Sequence, residues 1–277
     1  MLLIERTPQE TRAQIAKWQA DGQTIGFVPT MGALHAGHMS LINKAREHCD
    51  KVVASIFVNP TQFGAGEDFS VYPRVFDRDY DLLAQHGADL VFLPDIHDIY
   101  RENFATSVEV SGITDVLCGA VRPGHFKGVA TVVTILLNII QPQISFFGEK
   151  DYQQLQVIRR LHHDLYLFGE IMGVPTLREA DGLAMSSRNA YLSPEERKKA
   201  AKIYAVLQRI KTNIAHSELE DLLTQGREDL QEIGFSIDYL EVRHAQTLEL
   251  LQNAIPGSRL LVAARLGGTR LIDNVEL

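Results

Sequence analysis

The chain has 277 residues, enough for one large or two ordinary domains. Hydrophobic residues make up 45% and charged residues 22%, a balance that suits a globular core and excludes a disordered or fibrous chain. A net charge of −8 with no long basic run disfavours nucleic acid as a partner, because a polyanion calls for a basic surface. Two cysteines, Cys49 and Cys118, make no disulfide framework, so a reducing cytoplasm is the expected setting. Met1 to Arg6 is too short and too soon charged to read as a secretory signal, and no apolar run reaches membrane-spanning length.

The first element is a helix from Thr7 to about Ala20. Thr7 is placed to cap it, Pro8 opens it, and Glu10 stands three residues after the cap. Thr24 to Val28 is an apolar run that reads as a buried strand. A helix over 38–48 follows, with Leu41, Ile42, Ala45 and Cys49 at helical spacing. Between strand and helix stand Gly32 and Gly37, which permit close backbone approach, and His35 and His38, which share a face at a helix start. Unpaired N–H groups and the positive end of a helix dipole make such a turn an anion site. The histidines are equally candidate metal ligands, but no cysteine or acid lies nearby to complete a zinc set.

Val52 to Val58 is a continuous apolar strand, as expected where both faces of a sheet are covered. Strand, helix and strand in succession predict a parallel, doubly wound sheet of α/β class. Ligands in such sheets bind beyond the carboxyl ends of the strands, which places Asn59 and Gln62 at the same crevice as the histidines. Asn59 before Pro60 is also a turn initiator. A helix from about Asp77 to Gln85 starts with Asp77, Asp79 and Asp81. These suit the helix dipole, and one of them is a candidate to assist Mg²⁺ beside a nucleotide.

Leu90 to Pro94 is read as a third strand and Val108 to Val110 as a short one. The loop from Gly119 to Val129 carries Arg122, His125 and Lys127, cations able to meet phosphate or carboxylate, ahead of an apolar helix from Ala130 to Ile140. The strand Ile144 to Phe147 runs into Gly148-Glu149-Lys150-Asp151, where Lys150 is a candidate phosphate-binding cation and Gln154 lies early on the next helix. Ile171 to Val174 reads as the last strand of the sheet. Met185-Ser186-Ser187-Arg188 then offers two hydroxyls and a guanidinium, a small phosphate clamp. From there the order changes. Helices near 194–212 and 218–233 precede strands near 236–243, 258–265 and 269–273, with a hairpin turn at Gly267-Gly268. This order predicts a doubly wound α/β N-terminal domain, 1–175, and a smaller α+β C-terminal domain, 176–277.

Three motifs now stand in order. Met31 to His38 resembles the His-x-Gly-His signature of the class I synthetase and nucleotidyltransferase superfamily, and Met185 to Arg188 resembles its serine-containing partner. Together with Val58 to Phe63, Arg122 to Phe126, Phe147 to Gln154 and Leu271 to Asn274, the chain resembles the pantothenate synthetase family over essentially its whole length.

The resemblance implies ATP-dependent condensation of pantoate with β-alanine through a pantoyl adenylate, with AMP and pyrophosphate released. A Rossmann-like N-terminal domain, a smaller C-terminal domain, Mg²⁺ and a homodimer are implied as well. By motif match, ATP meets Met31, Gly32, Ala33, Leu34, His35, Ala36, Gly37, His38, Gly148, Glu149, Lys150, Asp151, Leu177 through its backbone, Met185, Ser186, Ser187 and Arg188. Of these, His38, His35, Lys150 and Arg188 carry catalysis. Gln62 and Gln154, with Asn59, hold pantoate or β-alanine, and Asp79 matches a metal-associated acid. Two rival readings are another cofactor-pathway nucleotidyltransferase of the same superfamily and a non-catalytic nucleotide-binding module.

Overall fold

A computed structural model describes residues 1–64 and 66–277. The N-terminal part alternates strands and helices: β1 (Leu3–Glu5), α1 (Pro8–Ala20), β2 (Ile25–Thr30), α2 (Ala36–His48), β3 (Lys51–Ile56), α3 (Phe76–Gln85), β4 (Leu90–Phe92), the short α4 (Ile96–Ile99) and α5 (Cys118–Val121), α6 (His125–Ile140), β5 (Ile144–Gly148), α7 (Tyr152–Asp164) and β6 (Glu170–Val174). The rest comprises α8 (Pro194–Ala200), α9 (Lys202–Asn213), α10 (Leu219–Ile233), β7 (Phe235–Arg243), β8 (Arg259–Leu266) and β9 (Thr269–Glu276). The architecture is α/β, with a second, smaller α+β unit.

Six strands form one parallel sheet in the order β1-β4-β3-β2-β5-β6. The inner strands β2 to β5 are short, largely apolar and buried on both faces, so successive residues feed opposite sides of the sheet. Phe27, Val53, Leu90 and Phe92 pack with α6 and α7, whereas Val28, Val52, Ala54 and Phe146 pack with Met39, Leu41, Ile42 and Ala45 of α2. The chain leaves β2 for β3 on one side, and β5 lies on the other. The strand order therefore reverses between β2 and β5, the place where open α/β sheets bind ligands.

The second sheet is antiparallel, β7-β8-β9, with β8 and β9 joined at the expected Gly267-Gly268 hairpin. Leu240, Val242, Leu260, Val262 and Ala264 pack against α8 to α10. Tyr239, Leu261 and Ala263, which alternate with them, join the N-terminal core instead. The small sheet thus buries one face on its own helices and part of the other on the large domain.

Three local expectations change. Val108 to Val110 forms no strand; the Val108 N–H is taken by Thr131 Oγ1 of α6 at 2.9 Å rather than by a neighbouring strand. The apolar helix begins at His125, so Lys127 lies on its first turn, half exposed, and pairs with Glu109 at 3.8 Å. A strand at the very start, β1, pairs with β4 and was not foreseen.

Candidate active site

Three strand ends build the site, and each solves a local problem of chain direction. After β2 the backbone turns through Gly32, at φ +79°, and Ala33, at φ +50°. The turn directs two consecutive N–H groups at Asp79 of α3. Ala33 and Leu34 donate to its two carboxylate oxygens at 2.8 Å each. Burial raises the Asp79 pKa against these bonds, and the side chain is only 1% exposed. Asp79 therefore braces the loop from behind. Each oxygen takes one N–H, and the carboxylate stands behind the 31–34 turn rather than on the crevice wall. The Gly32 N–H donates instead to Thr30 Oγ1 at 3.2 Å, and the Leu34 side chain is buried in the core beside α2. Ala36 is the exposed first residue of α2.

Met31, His35, Gly37 and His38 do line it. The Gly37 N–H donates to His35 Nδ1 at 3.1 Å, and the His35 N–H donates to His38 Nδ1 at 3.3 Å. Each ring thus accepts at Nδ1, which leaves the proton of the neutral ring on Nε2. Burial, and then Lys150, lowers the His35 pKa to about 4. Burial, and then His35, lowers that of His38 to about 3. The rings, 4.1 Å apart, are neutral donors at physiological pH. Gly37 is required beneath them, since an added Cβ would come within 2.8 Å of the His35 ring.

After β3, a 3₁₀ turn over Pro60–Gln62 presents Gln62. Its Nε2 donates to Met31 Sδ at 2.9 Å, tying this turn to the previous one. Asn59 is fully occupied. Its Nδ2 donates to Gln62 Oε1 at 3.1 Å and to the Gly128 carbonyl at 3.2 Å. Its Oδ1 accepts from the hydroxyls of Tyr100 at 2.7 Å and Thr61 at 2.9 Å. Asn59 lines the crevice next to Gln62, is 1% exposed, and holds the Gln62 amide in place.

After β5, Gly148, Lys150, Asp151 and Gln154 face the crevice, whereas Glu149 turns away to Arg259 at 3.3 Å. Burial pushes the Asp151 carboxyl up, but Lys150 and Arg188 hold it below the usual range. The serine-rich segment closes the far side. Met185 N–H donates to the Leu177 carbonyl at 3.0 Å, which leaves the Leu177 side chain along the wall. Ser186 Oγ accepts from the Arg188 N–H at 3.2 Å, and Ser187 Oγ meets Tyr72 OH at 3.3 Å. Val132, Val133 and Leu136 of α6 supply an apolar wall.

A cavity of about 210 Å³ lies at the strand ends and opens into one of about 550 Å³ bordered by the small sheet. Lys150, Asp151, Gln154, Ser186 and Arg188 line both, so the two are one crevice. Its guanidinium groups are matched by acids of one loop. Arg188 is bidentate on Asp68 at 3.0 and 2.9 Å, and Arg122 is bidentate on Glu67 at 2.6 Å for both bonds. The Arg122 hydrogen bonds, set against burial, lower the Glu67 pKa to about 2. His125 Nδ1 lies 2.8 Å from the Gln62 carbonyl, and burial lowers its pKa to about 4. Tyr72, Glu67 and Asp68 had no assigned role. Nothing local marks them, because their partners lie 55 to 120 positions away.

The sequence profile of the family "Pantoate-beta-alanine ligase" matches residues 3–276. The pantothenate synthetase of Rhodospirillum rubrum is 50% identical, over 99% of this chain and 98% of its own. A crystal structure of pantoate-beta-alanine ligase (pantothenate synthetase) from Thermus thermophilus superposes with a TM-score of 0.95 at 48% identity, covering 100% of this chain and 99% of that one. A Francisella tularensis pantoate-beta-alanine ligase, crystallised with beta-gamma ATP and beta-alanine, superposes with a TM-score of 0.84 at 35% identity. It covers 100% of this chain and 98% of its own.

Proposed function

The chain belongs to the pantoate-beta-alanine ligase family, and from that premise we propose that its crevice makes pantothenate in two steps. It is an ATP-using ligase that joins pantoate to β-alanine and releases AMP and pyrophosphate. The observation that carries the site reading is convergence. Residues from three segments remote in sequence, 31–38, 148–154 and 185–188, converge on one crevice at the sheet's switch point.

In the first step the pantoate carboxylate attacks the α-phosphorus of ATP, and pyrophosphate leaves. The nucleophile is already ionised, so no general base is needed. The obstacle is bringing an anion up to a polyanion, and catalysis is positioning plus neutralisation of charge. Lys150 and Arg188 supply the positive charge. His35 and His38 donate through Nε2–H without adding charge of their own. Ser186, Ser187, Met31, Gly37, Gly148, Asp151 and the Leu177 backbone complete the ATP surface. Gln62 and Gln154 hold pantoate, and as neutral amides they can bind its hydroxyls without drawing its carboxylate away from phosphorus. In the second step the neutral amine of β-alanine attacks the acyl carbon of pantoyl adenylate, and AMP leaves. The adenylate hydrolyses readily, so the C-terminal part, 176–277, serves as a cover over the 1–175 part.

Mg²⁺ fits as an ion carried on the triphosphate. Among the described residues no cluster of three or more His, Cys, Asp or Glu exists to hold a metal alone. Magnesium needs only one or two carboxylates beside phosphate oxygens: Asp151 on the crevice wall and Asp79 behind the 31–34 turn are the candidates. The ion would supply further neutralisation of phosphate charge. A cytoplasmic setting is supported by two unpaired, buried cysteines, and a homodimer by the exposed Leu165, Tyr166 and Phe168 beside the edge strand β6. Incubation with ATP, pantoate and β-alanine tests the function: AMP release that requires β-alanine is expected. AMP retained on the product would instead indicate a nucleotidyltransferase.

A further inference from the structure

Asn274 lies on β9, the last strand of the small sheet, yet its side chain ends in the N-terminal domain. Its Nδ2 donates to the Glu149 carbonyl at 2.8 Å and to the Lys150 carbonyl at 3.1 Å. The orientation of the amide is fixed. Arg259, which can only donate, lies 3.4 Å from Asn274 Oδ1, so the NH₂ must face the two carbonyls. Arg259 is itself held over the Tyr152 ring at 4.3 Å and against Glu149 at 3.3 Å. Asn274 is 4% exposed and lines the crevice. Its neighbour Asp273 takes a bidentate pair from Arg178 at 2.6 and 2.9 Å, adjoining Leu177.

We propose that Asn274 is a positioning residue for Lys150. One amide from the second domain reads the backbone on which the crevice lysine is mounted, so Lys150 is aimed correctly only when the small sheet is seated. The chemistry suits the task. Lys150 has a long flexible stem, and its ammonium has no partner besides Asp151, at 3.5 Å, to set its direction among the described residues. Aim must therefore come from the backbone beneath it. Two carbonyls held by one NH₂ fix both peptide planes of the turn. An aspartate of the same shape would face these carbonyls with a carboxylate and push the turn away.

The inference rests on the ligase reading, and the experiment separates the two. Single-turnover pantoyl-adenylate formation is measured for the whole protein, for Asn274→Ala, for Asn274→Asp and for each combined with Lys150→Ala. Amide formation from supplied pantoyl adenylate is measured alongside. Asn274→Ala is expected to slow adenylation about tenfold and Asn274→Asp about a hundredfold, the scale of a 1 Å misplacement. Amide formation should change by less than about twofold on the same basis, and in the Lys150→Ala background the Asn274 changes should cost almost nothing further, since groups acting as a unit are not additive. A full additional loss in that background overturns the inference, as does equal loss in both half-reactions or no loss at all. Should Asn274→Asp fail to fold, Asn274→Ala carries the same comparison. An unmodified protein that forms no adenylate refutes the ligase reading instead.

Discussion

The two histidines of the β2–α2 turn carry no charge at neutral pH, so in the proposed mechanism the electrostatic load falls on Lys150 and Arg188. His38→Ala is expected to slow adenylation about a hundredfold, the usual cost of one preorganised donor at developing charge. Unchanged single-turnover kinetics would contradict that role. Lys150→Ala should impair adenylation far more than amide formation, and equal loss in both would count against it. The histidine pKa values near 4 and 3 lie below the 6.5 of an unfolded ring. As pH falls, the unfolded chain takes up these protons first. The stability the neutral rings contribute is complete above 6.5 and is lost as pH falls from there towards 4 and 3. Denaturant titrations between pH 7 and 4 check this, and adenylation should show no histidine inflection near 6.5. The sequence marked both histidines by spacing but left their protonation open. That property depends on burial and on Lys150, 112 positions beyond His38, which no local pattern contains. Asp79 shows a similar limit. An acid at a helix start is common, and only the fold shows that the Ala33 and Leu34 N–H groups meet its two oxygens.

Among the elements, α6 meets the turn that carries Gln62. An added Cβ at Gly128 would lie 2.3 Å from the Thr61 carbonyl oxygen and 2.7 Å from the Gln62 N, so helix and turn touch backbone to backbone. Gly128→Ala must displace that turn. It should raise KM for pantoate several-fold and cost about 1–3 kcal/mol of stability, as overpacking does. An unchanged KM for pantoate would show that Gln62 does not depend on the helix. The order of strands and helices was legible because fully buried strands read as apolar runs and the helices as 3.6-residue periodicity. β1 was not, since Leu3–Glu5 offers three residues and gains its identity only by pairing with β4. Val108 to Val110 failed in the opposite direction: two β-branched residues suggested a strand, but Thr131 of α6 supplied the partner.

At the scale of the whole molecule, the small sheet buries alternate residues on two different cores, and Asn274 and Asp273 join it to segments that line the crevice. Sequence periodicity marked β7, β8 and β9 as strands but could not say which face meets the large domain. ATP should stabilise such an arrangement by mass action, about 2.7 kcal/mol at a hundredfold excess over Kd, read as a rise in melting temperature. Sedimentation should report twice the chain mass if the exposed Tyr166 region joins two copies. The central claim is that one crevice first makes an acyl adenylate and only then needs the amine. Rapid-quench measurement of pyrophosphate with ATP and pantoate alone tests it most directly. A burst of about one pyrophosphate per site is expected, followed by sustained turnover only when β-alanine is added. Pyrophosphate release that does not require pantoate, or that appears only once β-alanine is present, would contradict it.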